Sequence, residues 1–157
     1  MNDRIFNRLT EISVALKSKR QTSRSFHTTF ILEKKRIISI GINNIKSHPK
    51  TAEFDYVGEK KGTFIASLHS EMDSWLKLGQ EDCSKYTFIN IRINNNGNLD
   101  YSAPCLGCKR LMEQIGFKKF YYSNKNRSFT EYSHSDGRWK LLFDKPQNSA
   151  NVFLSVR

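Results

Sequence analysis

Apolar residues recur every three or four positions near the start of the chain. This spacing predicts a helix over residues 3–18 with one face against the core, formed by Ile5, Phe6, Leu9, Ile12 and Leu16. The basic run over residues 17–24 has no apolar face. It is therefore predicted to be a loop or a frayed helix end.

Two apolar and β-branched runs then indicate a β-hairpin. They cover residues 28–32 and 37–42 and are separated by the charged turn 33–36. Residues 43–62 lack periodicity and contain Pro49 and two glycines. We expect them to form a long connection, and loops of this length are usually functional or mobile.

The second half of the chain alternates between helical and strand patterns. In order, these predict a helix over 68–78 ended by Gly79, a strand over 86–93, a turn at 94–98, a helix from Pro104 to 115 and a strand over 117–123. After residue 123 the pattern defines no element. The order of helices and strands implies an α/β layer arrangement.

Length and composition indicate a single folded domain over residues 1–157. The chain is 38% hydrophobic and 12% aromatic, which excludes a disordered or collagen-like protein. No stretch approaches the roughly 18 apolar residues needed to cross a bilayer. Residues 1–20 mix charged and apolar side chains, unlike a secretory signal. We therefore expect a soluble, intracellular, cytoplasmic protein with no membrane partner.

Positive charge is concentrated at the two ends of the chain. The net charge is +11, with +8 over residues 1–50, −3 over 51–104 and +6 over 105–157. Such a field attracts polyanions and phosphorylated small molecules, but it does not distinguish between them.

Two short motifs at the starts of predicted helices carry the candidate chemistry. They are HSE at residues 69–71 and PCLGC at 104–108. Three cysteines are too few for a disulfide scaffold, so reduced thiols are expected. One neutral imidazole and two thiolates fill three tetrahedral positions of zinc and leave the fourth for water, as in catalytic sites. Glu71 is close enough in sequence to take a proton from that water.

These motifs resemble the H-x-E and P-C-x-x-C signature of the zinc-dependent cytidine/deoxycytidylate deaminase-like superfamily. The resemblance covers about residues 3–123. It implies a three-layer α/β/α cytidine deaminase-like fold whose mixed central sheet has about five strands. It also implies that Glu71 shuttles protons and that zinc is bound by His69, Cys105 and Cys108.

The resemblance also implies substrate contacts. Asn43, after the second predicted strand, is similar to the family's asparagine that hydrogen-bonds the substrate sugar; a turn residue is the competing interpretation. Ser70 stands where alanine is more usual, and Ala103 and Pro104 precede the cysteine motif. All three are expected in substrate binding.

Other roles for these residues stay open from the sequence. The cysteine pair would also suit a structural zinc half-site or a redox pair. A structural site needs two further ligands, and the remaining candidates are not paired at zinc-finger spacing; they are His27, His48, Cys83 and His134. His27 is predicted to be a structural, hydrogen-bonding histidine.

The resemblance implies hydrolytic deamination of a cytosine nucleoside or nucleotide, a small-molecule reaction of nucleotide metabolism. Nucleic acid editing is the alternative, with cytosine or adenine in single-stranded DNA or RNA as substrate. The basic ends and nearby aromatics support it, namely Tyr121, Tyr122, Phe129 and Tyr132. A catalytically silent nucleic-acid-binding relative is a further alternative, but it would not need Glu71. Because family members commonly oligomerise, a homo-oligomer is also a candidate state.

Overall fold

The computed structural model describes residues 2–20, 25–44, 46, 48–53, 67–133 and 138–142. The helices in these ranges are α1 (Asp3–Arg20), α2 (Lys50–Glu53), α3 (Ser70–Leu78) and α4 (Leu106–Ile115). The strands are β1 (Phe26–Glu33), β2 (Arg36–Ile42), β3 (Thr87–Ile93), β4 (Leu99–Asp100), β5 (Lys119–Ser123), β6 (Phe129–Ser133) and β7 (Arg138–Leu142). Within this part of the chain, no helix is both long and apolar enough to cross a bilayer.

The strands form one mixed sheet in the order β2-β1-β3-β5-β6-β7, and the two-residue β4 pairs with β3. β3 and β5 are parallel, whereas the other neighbours are antiparallel. The mixed sheet is confirmed, but it is larger than the five strands expected. β4 is too short to show a periodic pattern. β6 and β7 lie after residue 123, where the sequence pattern defined no element, and each has only five residues.

Successive residues of the central strands pack against opposite layers. Phe30, Ile89 and Tyr121 share an apolar cluster with Phe6 and Leu9 of α1. Their neighbours in the chain pack with α3 and α4 on the other face of the sheet; these neighbours are Ile31, Phe88 and Phe120. This two-residue period is that of a sheet buried on both faces. The predicted three-layer α/β/α architecture is therefore confirmed, whereas a single domain over residues 1–157 stays a prediction.

One end of the sheet collects the segments that carry the two motifs. β1 is antiparallel to both of its neighbours, with Thr28 opposite Ile42 in β2 and Ile91 in β3. The start of β1 therefore lies beside the ends of β2 and β3. An isolated bridge between Asn44 and Leu68 holds the chain at this end just before α3. Since α4 follows β3, both motif-bearing helices begin here.

Three helix boundaries differ from the sequence prediction. Residues 17–20, predicted as a loop or a frayed helix end, form the last turn of α1. Basic side chains are favourable at a helix C-terminus, which offsets the lack of an apolar face. Pro104 precedes the N-cap residue Cys105 instead of lying in the first turn of α4. Leu68, assigned to the second helix by its spacing, lies in the bridge before α3.

The long connection is only partly described. Within residues 43–62 it contains the short helix α2. The sequence did not predict this helix, because four residues are too few to show a helical period. Residues 21–24, 54–66, 134–137 and 143–157 lie outside the described residues, and with them His134 and part of the predicted basic run.

Gly41 permits the closest approach between β2 and α3. A Cβ atom at this position would overlap the Ser70 carbonyl oxygen and the Ser74 amide nitrogen, and would lie 2.7 Å from Ser74 Cβ. These atoms belong mostly to helical backbone, so relief would require α3 to move away from the sheet.

We expect Gly41→Ala to lower the free energy of unfolding by about 3 kcal/mol or more, because the clash with backbone atoms is removed only if the whole helix moves. Gly79→Ala is the matched control. Its Cβ would meet nothing within 4 Å, but the residue has a φ of 68°, so about 1 kcal/mol of backbone strain is expected. Denaturant unfolding of both variants measures the difference. Equal losses would contradict the close packing of α3 on β2.

Candidate metal centre

Both sequence motifs lie at the start of a helix. His69 is the N-cap residue of α3 and Cys105 is the N-cap residue of α4, each with extended backbone. Cys108 is buried in the first turn of α4, and its backbone N–H donates to the Cys105 sulfur at 3.5 Å. Because α3 and α4 begin at the same end of the sheet, the histidine and the cysteines meet there.

The three side chains form a compact group of metal-ligand atoms. Nδ1 of His69 lies 3.4 Å from Sγ of Cys105 and 3.5 Å from Sγ of Cys108. Tetrahedral zinc, with its usual bond lengths, places a nitrogen and a sulfur ligand about 3.6 Å apart. The spacing therefore fits zinc, and three protein ligands leave one of its four coordination positions open. Within the part of the chain that the structure describes, the group has only these three members, which gives no support to a four-ligand structural site.

The surroundings of the cysteines favour a thiolate at Cys105. Hydrogen bonding from Cys108, and after it from His69, lowers the pKa of Cys105 to about 4. Burial opposes protonation of His69, but its hydrogen bond with Cys105 and the charge of Glu71 raise the pKa of that ring. At Cys83, by contrast, burial raises the pKa to about 11. Since thiolates bind metals and thiols do not, Cys105 is chemically distinct from Cys83.

Glu71 is buried beside the ligand group, with 4% of the residue exposed. Its Oε1 accepts a 2.8 Å hydrogen bond from Asn90 Nδ2, and Ser70 Oγ donates to its Oε2 at 3.3 Å. Burial raises the pKa of Glu71, while the nearby His69 acts in the opposite direction. A carboxyl group with a raised pKa is suited to accept and return a proton near neutral pH.

A cavity of about 450 Å³ opens above these groups. Of the residues predicted to bind substrate, Asn43, Ser70 and Ala103 line it, whereas Pro104 is buried and is not among the lining residues. The remaining lining residues are Arg20, Ser25, His27, Asn44, Ser67, His69, Glu71 and Cys105. The structure thus brings His69, Ser70, Glu71 and Cys105 of the two motifs to one cavity with Asn43.

The Asn43 side chain connects the end of β2 to the start of β1. Its Oδ1 accepts from the His27 amide at 3.0 Å, and its Nδ2 donates to the Ser25 carbonyl at 3.1 Å. The Arg20 guanidinium donates to the Asn43 carbonyl from the end of α1. Asn43 therefore shapes the cavity wall. Its Oδ1 can still accept one further hydrogen bond and its Nδ2 can still donate one. The role of Asn43 in sugar binding stays a prediction.

Sequence reasoning missed Arg20 and Ser25, and it gave His27 only a structural role. Their place in the cavity wall depends on the tertiary fold, since Arg20 ends α1, Ser25 immediately precedes β1 and His27 lies in β1. Burial, and next the charge of Arg92, lower the pKa of His27 to about 4. The ring is therefore neutral at physiological pH.

Two of the four aromatic candidates pack on the far side of the sheet from the site. Tyr121 and Phe129 are buried against Phe6 of α1, with ring centroids 5.2 and 4.2 Å away. Tyr132 lies 5.7 Å from the Phe117 ring, and Tyr122 meets Tyr101 edge to face at 5.5 Å. At least two of these aromatics are thus core residues, as expected.

Comparison with known proteins finds likeness among solved structures. No protein-family model matches the chain, and no curated protein sequence matches it. A solved structure of dCMP deaminase from the cyanophage S-TIM5, in apo form, is similar with 19% sequence identity and a TM-score of 0.48. The match covers 79% of this chain and 86% of that chain. The assignment of function therefore depends on the site itself.

We expect the wild-type chain to bind one zinc ion, and His69→Ala, Cys105→Ala and Cys108→Ala each to bind much less, because each removes one of three protein ligands. Elemental analysis after dialysis measures the metal content. Cys83→Ala is the matched control, since this buried thiol lies outside the group. Undiminished zinc in the Cys108 variant would contradict the proposed ligand set.

The lowered pKa of His27 predicts a loss of stability in acid. Unfolding restores its ordinary pKa of about 6.5, so the unfolded state binds the proton more readily. The free energy of unfolding should therefore fall as the pH drops from about 6.5 to about 4. In metal-free protein, His27→Asn should make that fall shallower. Denaturant unfolding at several pH values checks this, and identical slopes for the two proteins would show that His27 does not contribute.

Proposed function

We propose that this protein is a zinc-dependent hydrolytic deaminase that converts a cytosine nucleoside or nucleotide to its uracil form. The observation that carries the proposal is a buried Glu71 next to a three-ligand group of zinc-compatible spacing, with Glu71, His69 and Cys105 lining one cavity. A purely structural metal site would need a fourth protein ligand and would have no use for a buried acid.

His69, Cys105 and Cys108 would hold the metal. When bound, zinc would lower the pKa of a water molecule in the fourth position and so supply the nucleophile. Two thiolates neutralise the charge of the ion, which makes that water less acidic than in an all-histidine site. A protein base is therefore useful, and Glu71 is the carboxylate that lines the cavity next to His69.

Glu71 would move both protons that the reaction requires. The water oxygen adds to C4 of the base while the carboxylate takes one water proton and delivers it to the ring nitrogen N3. A second proton, carried the same way, converts the 4-amino group to ammonia, and the C4–N bond breaks. Atoms and charge balance as cytosine plus water giving uracil plus ammonia.

The cavity supports a small substrate. Its volume of about 450 Å³ falls within the range of small-ligand sites. Asn43, Ser25 and the neutral His27 supply uncharged hydrogen-bonding groups, and Arg20 supplies a cation at the wall. This combination would suit a base and sugar with an attached phosphate. The proposed setting is nucleotide metabolism in the cytoplasm, and a homo-oligomer remains a candidate state.

Deamination within single-stranded nucleic acid is the second candidate. It is favoured by two exposed apolar side chains next to the cysteine motif, Tyr101 with 50% and Leu106 with 64% exposure. Flat aromatic surfaces on a basic protein are suited to stack flanking bases. A catalytically silent binder remains disfavoured, because it would not need a buried acid beside the ligand group.

The test is mass spectrometry of products after incubating zinc-loaded protein with cytidine, deoxycytidine, CMP, dCMP and a mixed single-stranded oligonucleotide. Deamination raises the substrate mass by about 1 Da. We expect this gain in a free substrate and a loss of about 10²- to 10⁴-fold in Glu71→Gln, with its zinc retained. Glu113→Gln, which changes an exposed acid of α4, is the matched control.

The outcomes separate the candidates. Turnover of the oligonucleotide alone, with steep loss of activity in salt, would assign the protein to nucleic acid editing. Full activity in Glu71→Gln would refute the proton-transfer role. Absence of turnover on cytosine and adenine substrates alike would leave the silent binder.

A further inference from the structure

Asn90 is a polar residue in the middle of the apolar central strand β3. It is 1% exposed and lies between Ile89 and Ile91, which pack on the α1 side of the sheet. By the two-residue period of a strand, Asn90 faces the other side, with Phe88 and the motif-bearing helices. An amide buried in this way is costly unless its hydrogen bonds are made.

The Asn90 amide bonds to both motif-bearing segments. Nδ2 donates at 2.8 Å to Oε1 of Glu71 and at 2.8 Å to the carbonyl oxygen of Ser102, which precedes the cysteine motif. Oδ1 accepts from Thr29 Oγ1 at 3.3 Å, and Ser70 Oγ lies 3.4 Å from it. Both donor positions of Nδ2 are thus used, one of them on Glu71.

In the bond between Asn90 and Glu71, the amide nitrogen is always the donor. An N–H group donates and cannot accept, so Oε1 of Glu71 is the acceptor of this bond. The side chain also cannot rotate about its last torsion without exchanging the two oxygens and losing the 2.8 Å bond.

We propose that Asn90 is a positioning residue that holds the Glu71 carboxylate in register with the segment carrying the cysteines. This rests on the proposed function, in which Glu71 transfers protons to substrate. Packing alone does not require an amide here, because an aliphatic side chain would fill the same position in the strand. The two Nδ2 bonds, by contrast, join the acid on α3 to the chain leading into α4 through one rigid group.

The kinetic test compares Asn90→Ala with Ser123→Ala. Ser123 is fully buried in the same polar network, bonding Asp100 and Ser102, but it does not touch Glu71. We expect Asn90→Ala to lower kcat by about 10- to 100-fold with KM changed by less than about threefold and zinc content unchanged. Ser123→Ala should lose comparable thermal stability while retaining kcat. Equal kcat losses in the two variants, or a rise in KM alone, would overturn the proposal.

A measurement independent of turnover separates this proposal from the proposed function. The side-chain amide signals of Asn90 in a ¹⁵N-correlated NMR spectrum are assigned by their disappearance in Asn90→Asp. In zinc-loaded protein, Glu71→Ala should shift one of them and speed its exchange with water. Asp73→Asn, on the same helix but bonded to Ile42 and Lys77, should not. An unmoved Asn90 signal in Glu71→Ala would refute the positioning contact. A shifted signal would support it even if no tested substrate were turned over.

Discussion

The convergence of two helix N-termini at one end of the sheet is the constraint on which the site depends. His69 and Cys105 are N-cap residues of separate helices, yet their ligand atoms lie 3.4 Å apart. That distance tolerates little movement of either helix. On one side it is secured by the absence of a side chain at Gly41, which lets α3 lie against β2. On the other, α4 packs through buried Leu111 and Ile115 into the same apolar cluster as α3.

The two faces of the sheet have different roles: one provides apolar packing, and the other carries the polar groups of the candidate site. The face covered by α1 is apolar around Phe6, Leu9 and Phe129. The opposite face carries hydroxyl, amide and carboxyl groups at the end where α3 and α4 begin, including Thr29, Asn90 and Ser102. These buried groups are hydrogen-bonded to one another, which removes most of the cost of burying them and fixes their orientation. A rigid polar cluster held by central strands is a more exact support for an acid than a loop would be.

The sequence predicted the features that local spacing encodes. The H-x-E and P-C-x-x-C motifs identified the ligand group because each is a short stretch at a helix start. The β-branched and apolar run in β1 and the alternation in β3 indicated their strands. Asn90 carried a weak signal, as a polar residue inside an apolar run, but its partners come from three other segments of the chain. Arg20 and Ser25 could not be assigned to the cavity, because it is the tertiary arrangement of the end of α1 and the start of β1 that brings them there. β4 was missed because two residues cannot show a period.

Several of the chain's cations form hydrogen bonds or ion pairs within the fold, and this affects how strongly the net charge supports a nucleic acid substrate. Arg20 ends α1, where a cation is favourable, and donates to the Asn43 carbonyl at the cavity wall. Lys77 and Lys119 pair with acids on their own helix and on a neighbouring strand. Cations that serve the fold are weak support for a polymer substrate, because their presence is explained without one. The exposed side chains of Tyr101, which precedes the cysteine motif, and Leu106, which lies within it, are the stronger support for nucleic acid.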